Sequence, residues 1–303
     1  MRRIFFPLLS ILILGTISAC QTVNNATEVA ASVGVATGVI SETQAGAITR
    51  STAAVVKSFE DFTPEQEYYM GRSVGAVVLS KYPPYQSSFL NNYINLVGQT
   101  LALSSDAPEV FNGYHFLVLD SDEINAFATP GGHIFITKGL IRCCRTEDAL
   151  AAVLAHEIGH IQKKHGLQSI QKARLTQAFT ILAVEGTKAF GPAELAKLTE
   201  TFEDSISDIT TTLITNGYSR SFEYEADETS AVILGRLGYN PAALIDMLRV
   251  METTLKPGGL DFAKTHPSPQ DRIDRLKKSG LQEVSVSPPP ARQARFQKAI
   301  HNL

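Results

Sequence analysis

The segment His156-Glu157-Ile158-Gly159-His160 concentrates the chemistry of this chain. Two histidines four residues apart share one helix face, close enough to bind one metal ion. Zinc held by neutral imidazoles keeps one coordination position open for water. Glu157 stands beside them, where a carboxylate can take a proton from that water as it attacks a carbonyl. The residue types and spacing therefore point to metal-assisted hydrolysis.

The flanking residues predict the helix that this spacing needs. Thr146 is an N-cap, and Glu147 and Asp148 put negative charge into the first turn. Leu150, Val153, Leu154, Ile158 and Ile161 form one apolar stripe at helical spacing. The expectation is an amphipathic helix with one face in the core and the next face offering imidazoles to a cleft. Gly166 is placed to end it, with His165 as a charge near the last carbonyls rather than a ligand.

One helix supplies two ligands, so a third comes from elsewhere. Glu223, in Ser219-Arg220-Ser221-Phe222-Glu223-Tyr224-Glu225-Ala226-Asp227, is the best candidate. Glu223 and Asp227 are again four apart, which suits a ligand and an acceptor for a histidine's other N–H. An ordinary acidic helix facing solvent has the same pattern, and on the residues alone both readings stand. Glu225 and Glu228 read as solvent-facing.

An upstream segment joins these two, running Asn125-Ala126-Phe127-Ala128-Thr129-Pro130-Gly131-Gly132-His133-Ile134-Phe135-Ile136-Thr137-Lys138-Gly139-Leu140. The three motifs in this order resemble zinc metallopeptidase family M48, which includes the CAAX prenyl proteases and bacterial heat-shock membrane proteases. The resemblance runs from about Phe62 to Gly280. It implies an α+β, mainly α, zincin-like (gluzincin) domain with a small sheet beside the zinc helix. It also implies one Zn2+ per chain on His156, His160 and Glu223, Glu157 as general base, and Asp227 supporting the site.

The upstream segment has a physical reading as well. Residues 114–119, 124–128 and 134–137 are short and rich in β-formers, and Pro130-Gly131-Gly132 is a turn. An edge of such a sheet can receive an extended peptide as an added strand. Asn125, Ala126, Phe127 and Gly132 are the candidate substrate-binding positions. His266, in Thr265-His266-Pro267-Ser268-Pro269, matches a T-H-P segment of the family. It reads as an oxyanion stabiliser, as a fourth zinc ligand that silences the site, or as a structural loop residue. Arg220 reads as a salt-bridge partner for a site carboxylate, or as a group that binds the substrate backbone.

The N-terminus sets location. Arg2 and Arg3 precede an apolar run from Ile4 to Ile17, too short to span a bilayer comfortably. Ile17-Ser18-Ala19-Cys20 resembles a bacterial lipobox, so residues 1–19 read as a signal peptide and Cys20 as the lipidated residue. Several acyl chains on one residue give stable anchoring. Gln21 after the cysteine implies, by the lipoprotein resemblance, the outer membrane, at its periplasmic face. No later run reaches transmembrane length, unlike the prenyl-protease branch.

Residues 20–60 read as a tether, 61–280 as the metallopeptidase domain and 281–303 as a flexible tail containing Pro288-Pro289-Pro290. Thr63-Pro64-Glu65-Gln66 opens the first ordered helix with a capping box. Two helices, broken at Gly191-Pro192, are expected between the zinc helix and Glu223; two more follow Asn240-Pro241 and Ser268-Pro269. No helical-repeat array is expected after the catalytic region. A formal net charge of −3 implies no nucleic-acid partner. Cys143 and Cys144, as adjacent residues, read as free thiols, since a bridge between neighbours is strained.

The combined expectation is a lipid-anchored zinc metalloendopeptidase of the bacterial envelope, acting on unfolded, misassembled or damaged proteins. An alternative of another class is a chaperone-like envelope protein that holds extended polypeptide with little or gated proteolysis.

Overall fold

The computed structural model describes residues 28–38, scattered positions between 41 and 49, and residues 62–170, 217–254, 266–283 and 286–303. The expected signal peptide at 1–19, Cys20 and the helices expected around Gly191-Pro192 lie outside the described residues. Two compact units divide the chain: residues 1–61 with 170–207, and residues 62–169 with 208–303. In the first, residues 28–36 are helical. The second contains the motifs and everything that follows.

It opens with α1 (Pro64–Lys81), started by the expected capping box: Thr63 Oγ1 accepts from the Gln66 N–H at 3.2 Å, and Gln66 Oε1 accepts from the Thr63 N–H at 2.9 Å. Ser87 caps α2 (Ser88–Leu103) with its hydroxyl alone, which accepts from the Leu90 N–H at 3.3 Å. A three-stranded sheet follows: β1 (His115–Leu119), β2 (Ala126–Thr129) and β3 (His133–Thr137). The order is β1-β3-β2, with β1 parallel and β2 antiparallel to the central β3, so β2 is an edge. The turn Pro130–Gly132 joins β2 to β3 with φ of 72° at Gly131 and 101° at Gly132, left-handed values that favour glycine.

Alternation decides what each sheet face meets. Phe116, Val118, Ile134 and Ile136 enter the main core, whereas Leu119, Phe127 and Phe135 pack with Val78 and Tyr82 of α1. The main core continues through α4 (Glu147–Gln162), α5 (Arg220–Arg236), α6 (Ala243–Thr254), α7 (Pro269–Lys278) and α8 (Pro290–Ile300); the short α3 (Lys138–Cys143) leads from β3 toward α4.

α4 differs from the amphipathic helix that its sequence predicts. Every residue from Glu147 to Ile161 is buried. A helix apolar or small on all sides can be enclosed by its neighbours, and Ala149, Ala151, Ala152 and Ala155 let them come close. At Gly159 an added Cβ would stand 3.0 Å from the Ala226 carbonyl oxygen of α5. The helix stops before Gly166: Gln162 is its last residue, Lys164 turns the chain at φ 56°, and a new helix begins at His165. The Lys164 ammonium pairs with Glu67 of α1 at 2.7 Å, which holds this turn in place.

The C-terminal segment also departs from expectation. Rather than a flexible tail, residues 290–300 form α8, because Pro290 sits at the first helical position, where its missing N–H removes no bond. Arg292 of α8 meets Asp148 at 3.0 Å and Arg295 forks onto Glu147. Glu147, fully enclosed, also accepts from Tyr93 at 2.7 Å and Tyr239 at 2.8 Å. Burial alone would raise its carboxyl, but the hydrogen bonds from Arg295, Tyr93 and Tyr239 win and hold it below its ordinary value. Cys143 and Cys144 are free, and Cys144 packs as a buried apolar residue against Leu140 and Met247, its thiol pushed up by burial.

Candidate metal centre

His156 and His160 project from α4 toward Glu223 of α5 and His266, which lies just before α7. The two Nε2 atoms are 3.1 Å apart, and each is 3.4 Å from a Glu223 oxygen. His266 Nε2 stands 3.7 Å from Glu223 Oε2. Bonds of about 2.0 Å in a tetrahedron place ligand atoms about 3.3 Å from one another, so these separations fit zinc. Both Glu223 oxygens are buried without a hydrogen-bond partner, and burial pushes that carboxyl up. A cation among these atoms would satisfy the carboxylate.

The His156 ring is held from behind. Its Nδ1 lies 2.9 Å from Asp227 Oδ1, which leaves Nε2 aimed at the ligand group. Asp227 is gripped in turn by Arg272 of α7, with Nε 2.9 Å from Oδ2 and Nη2 2.5 Å from Oδ1. Burial opposes ionisation of Asp227, but Arg272 and His156 prevail and hold its carboxyl at about 2. Burial likewise disfavours charge on His156, yet the Asp227 and Glu223 carboxylates beside it raise its ring to about 9. Arg220 is not the salt-bridge partner of a site carboxylate: it is exposed at the first position of α5, and helical side chains lean toward the N-terminus, here away from Glu223. Arg272 fills that place, 3.8 Å from Glu223. Its sequence signal was only a cation in the helix after the T-H-P segment.

Glu157 follows His156 on α4 and is buried. Burial pushes its carboxyl up to about 7, with the neighbouring His156 ring working the other way. A carboxyl poised there can take a proton and give it back near neutral pH.

Glu157 and His266 line one cleft with Val74 and Val78 of α1, the β2 edge and Tyr218. The free volume is only about 30 Å³. Ala126 and Phe127 line this cleft. Asn125 does not present its side chain: it is buried, and its Oδ1 accepts from the Ala126 N–H at 2.9 Å. Gly132 serves the turn and meets Gly113 and Val110 instead of the cleft. Tyr218 was missed in the sequence, although it directly precedes the Ser219-Arg220 motif. Its ring stacks on His160 at 4.1 Å and its hydroxyl donates to the Ala128 carbonyl at 3.0 Å.

His165 also differs from its expected role. It is fully buried, with Nδ1 2.9 Å from His160 Nδ1 and Nε2 3.2 Å from Glu225 Oε2. The ring lies flat on Phe222 at 4.3 Å. The sequence could not show this, because the turn at Lys164 decides where residue 165 points.

Residues 88–279 match the sequence model of peptidase family M48, more than half of the chain. The chain belongs to that family. Its zincin-like metallopeptidase domain is the α+β, mainly helical fold described above, with the small sheet beside α4. Among curated relatives, the beta-barrel assembly-enhancing protease of Yersinia pestis is 29% identical over 217 residues, covering 69% of this chain and 43% of that protein. The protein of the same name from Escherichia coli K12 is 28% identical over 214 residues, covering 69% and 42%. The mitochondrial metalloendopeptidase OMA1 of Schizosaccharomyces pombe is 27% identical over 228 residues, covering 73% and 63%. The M48 chain thus spans less than half the length of the beta-barrel assembly-enhancing proteases it matches. Among the described residues, no helix is long and apolar enough to cross a membrane.

Proposed function

We propose that this M48 chain is a zinc-dependent metalloendopeptidase that cleaves unfolded, misassembled or damaged polypeptides of the bacterial envelope. The observation that carries this reading is the spacing of His156, His160 and Glu223, whose ligand atoms lie 3.1 to 3.4 Å apart with Glu157 beside them. Zinc bound there would polarise the scissile carbonyl and acidify the attacking water. Glu157 accepts the proton from that water and delivers it to the leaving nitrogen. The β2 edge aligns the substrate backbone as an added strand. An envelope substrate is supported by the names of the bacterial relatives, and a lipid anchor at Cys20 by the N-terminal sequence alone.

A second reading concerns control. His266 stands among the candidate ligand atoms, and a zinc ion held by all four residues would have no tetrahedral position left for water. The small cleft fits the same picture of a resting enzyme that must open. This gated form also accommodates the chaperone-like alternative, in which polypeptide is held and seldom cut.

The test is degradation of an unfolded protein by the zinc-loaded wild type and by Glu157→Gln. Cleavage by the wild type alone supports the peptidase; binding without cleavage in both favours the chaperone-like reading. For His266→Ala, faster proteolysis supports silencing, and a strong fall assigns His266 to catalysis or structure.

A further inference from the structure

We infer that His165 and Glu225 form a carboxylate–imidazole relay that fixes and strengthens His160 as a metal ligand, making His165 a positioning residue of this centre. The inference rests on the zinc reading above.

The proton positions follow from the contacts. His160 Nε2 faces His156 Nε2 at 3.1 Å and Glu223 Oε1 at 3.4 Å, so a metal there needs its lone pair. The neutral ring then carries its hydrogen on Nδ1, whose neighbour is His165 Nδ1 at 2.9 Å. Two N–H groups cannot point at each other, so His165 Nδ1 accepts. Its own hydrogen must lie on Nε2, directed at Glu225 Oε2 at 3.2 Å. One arrangement of hydrogens satisfies all three residues, and it leaves His160 ready to bind.

The two metal histidines are thereby backed by carboxylates in different ways. Asp227 holds His156 directly, whereas Glu225 acts on His160 through one intervening imidazole. Such partners fix ring orientation and raise ligand basicity. The surroundings look built for the purpose. Phe222 and Tyr218 clamp the two rings from their faces. Lys164, a residue with a side chain at φ 56°, accepts an uncommon backbone conformation to bring residue 165 back against residue 160.

The experiment measures zinc affinity of the full chain by chelator competition, with the visible spectrum of the cobalt-substituted protein as a report on ligand geometry. His165→Phe keeps the stacking but removes the acceptor; His165→Asn keeps an acceptor near the Nδ1 position. The expected result is roughly a 10- to 100-fold loss of affinity and an altered cobalt spectrum for Phe. His165→Asn should stay within about threefold of wild type. The metal-free unfolding temperature serves as the folding control. Wild-type affinity and spectrum in His165→Phe would overturn the inference, as would an equal loss in His165→Asn. If His165→Phe does not fold, Glu225→Leu, at the half-exposed end of the relay, decides: several-fold weaker zinc binding supports it and unchanged binding overturns it. A wild-type protein that binds no zinc would instead remove the metal reading itself.

Discussion

Arg272 grips Asp227 through two parallel contacts of 2.9 and 2.5 Å, and both side chains are buried beneath the metal-binding face of His156. The pair joins α7 to α5 and fixes the ring through which α4 contributes its first ligand. Removing one partner strands a buried charge, which costs about 3–5 kcal/mol. Arg272→Met is therefore expected to lower unfolding free energy by about that amount and to weaken zinc binding. Urea denaturation and zinc titration of the same sample check both.

In the proposed mechanism Glu157 acts on the attacking water, and it is not among the residues grouped as candidate metal ligands. Glu157→Gln should lower kcat by about 100-fold or more while zinc content stays at the wild-type level. Metal analysis of the purified variant separates this from a loss of the ligand set. Loss of zinc together with activity would mean that Glu157 is part of the cation's support.

The buried Glu223 oxygens have no hydrogen-bond partner, so a cation bound there is expected to stabilise the fold as well as serve the reaction. Chelation should abolish activity and lower the melting temperature. Zinc present at about 1,000 times its dissociation constant contributes about 4 kcal/mol. Differential scanning calorimetry before and after chelation, then after zinc is restored, measures the effect and its reversal.

Glu147 is held ionised below its ordinary value by Arg295, Tyr93 and Tyr239, against the opposing effect of burial. A depressed folded-state carboxyl contributes stability at pH values above the unfolded pKa, about 4.3, and loses it as pH falls through the folded value. Unfolding free energy should therefore drop on acidification below about pH 4.3. Glu147→Gln should be less stable at neutral pH and show a flatter acid limb. Urea melts between neutrality and acid pH test the slope.

Gly159 lies where α4 meets α5, where an added Cβ would sit tight against Ala226, 3.0 Å from its carbonyl oxygen. Gly159→Val should push the helices apart at about 1–3 kcal/mol and draw Glu223 away from the histidines. Weakened zinc binding in a folded variant is the expected outcome. Unchanged binding would show that the crossing of α4 and α5 yields without moving the ligand.

Much of this architecture was legible locally. Thr63 and Thr146 announced their helices because a capping side chain acts on backbone two or three residues away. The strands followed from β-rich runs around a glycine turn, and the spacing of four in His156–His160 and Glu223–Asp227 gave shared helix faces. The errors have a common cause. Arg220 and Arg272 are both arginines near acidic residues in sequence or space, and only packing decides which one is enclosed with Asp227. The amphipathic stripe on α4 correctly named apolar positions, but how many neighbours surround a helix is not written in its own period.

The sequence by itself determined the chemistry available: two imidazoles, a carboxylate base and a carboxylate ligand at helical spacing, in motifs that place the chain in its family. Helical periodicity is local, so those assignments needed no knowledge of the fold. Tertiary structure alone decided how the ligands are held. Asp227 owes its grip to Arg272 from α7, His160 meets His165 across a left-handed turn at Lys164, and Glu147 is locked by an α8 that residue order presents as a proline-rich tail. Those contacts depend on where distant segments cross, and burial then strengthens each charge interaction by excluding water.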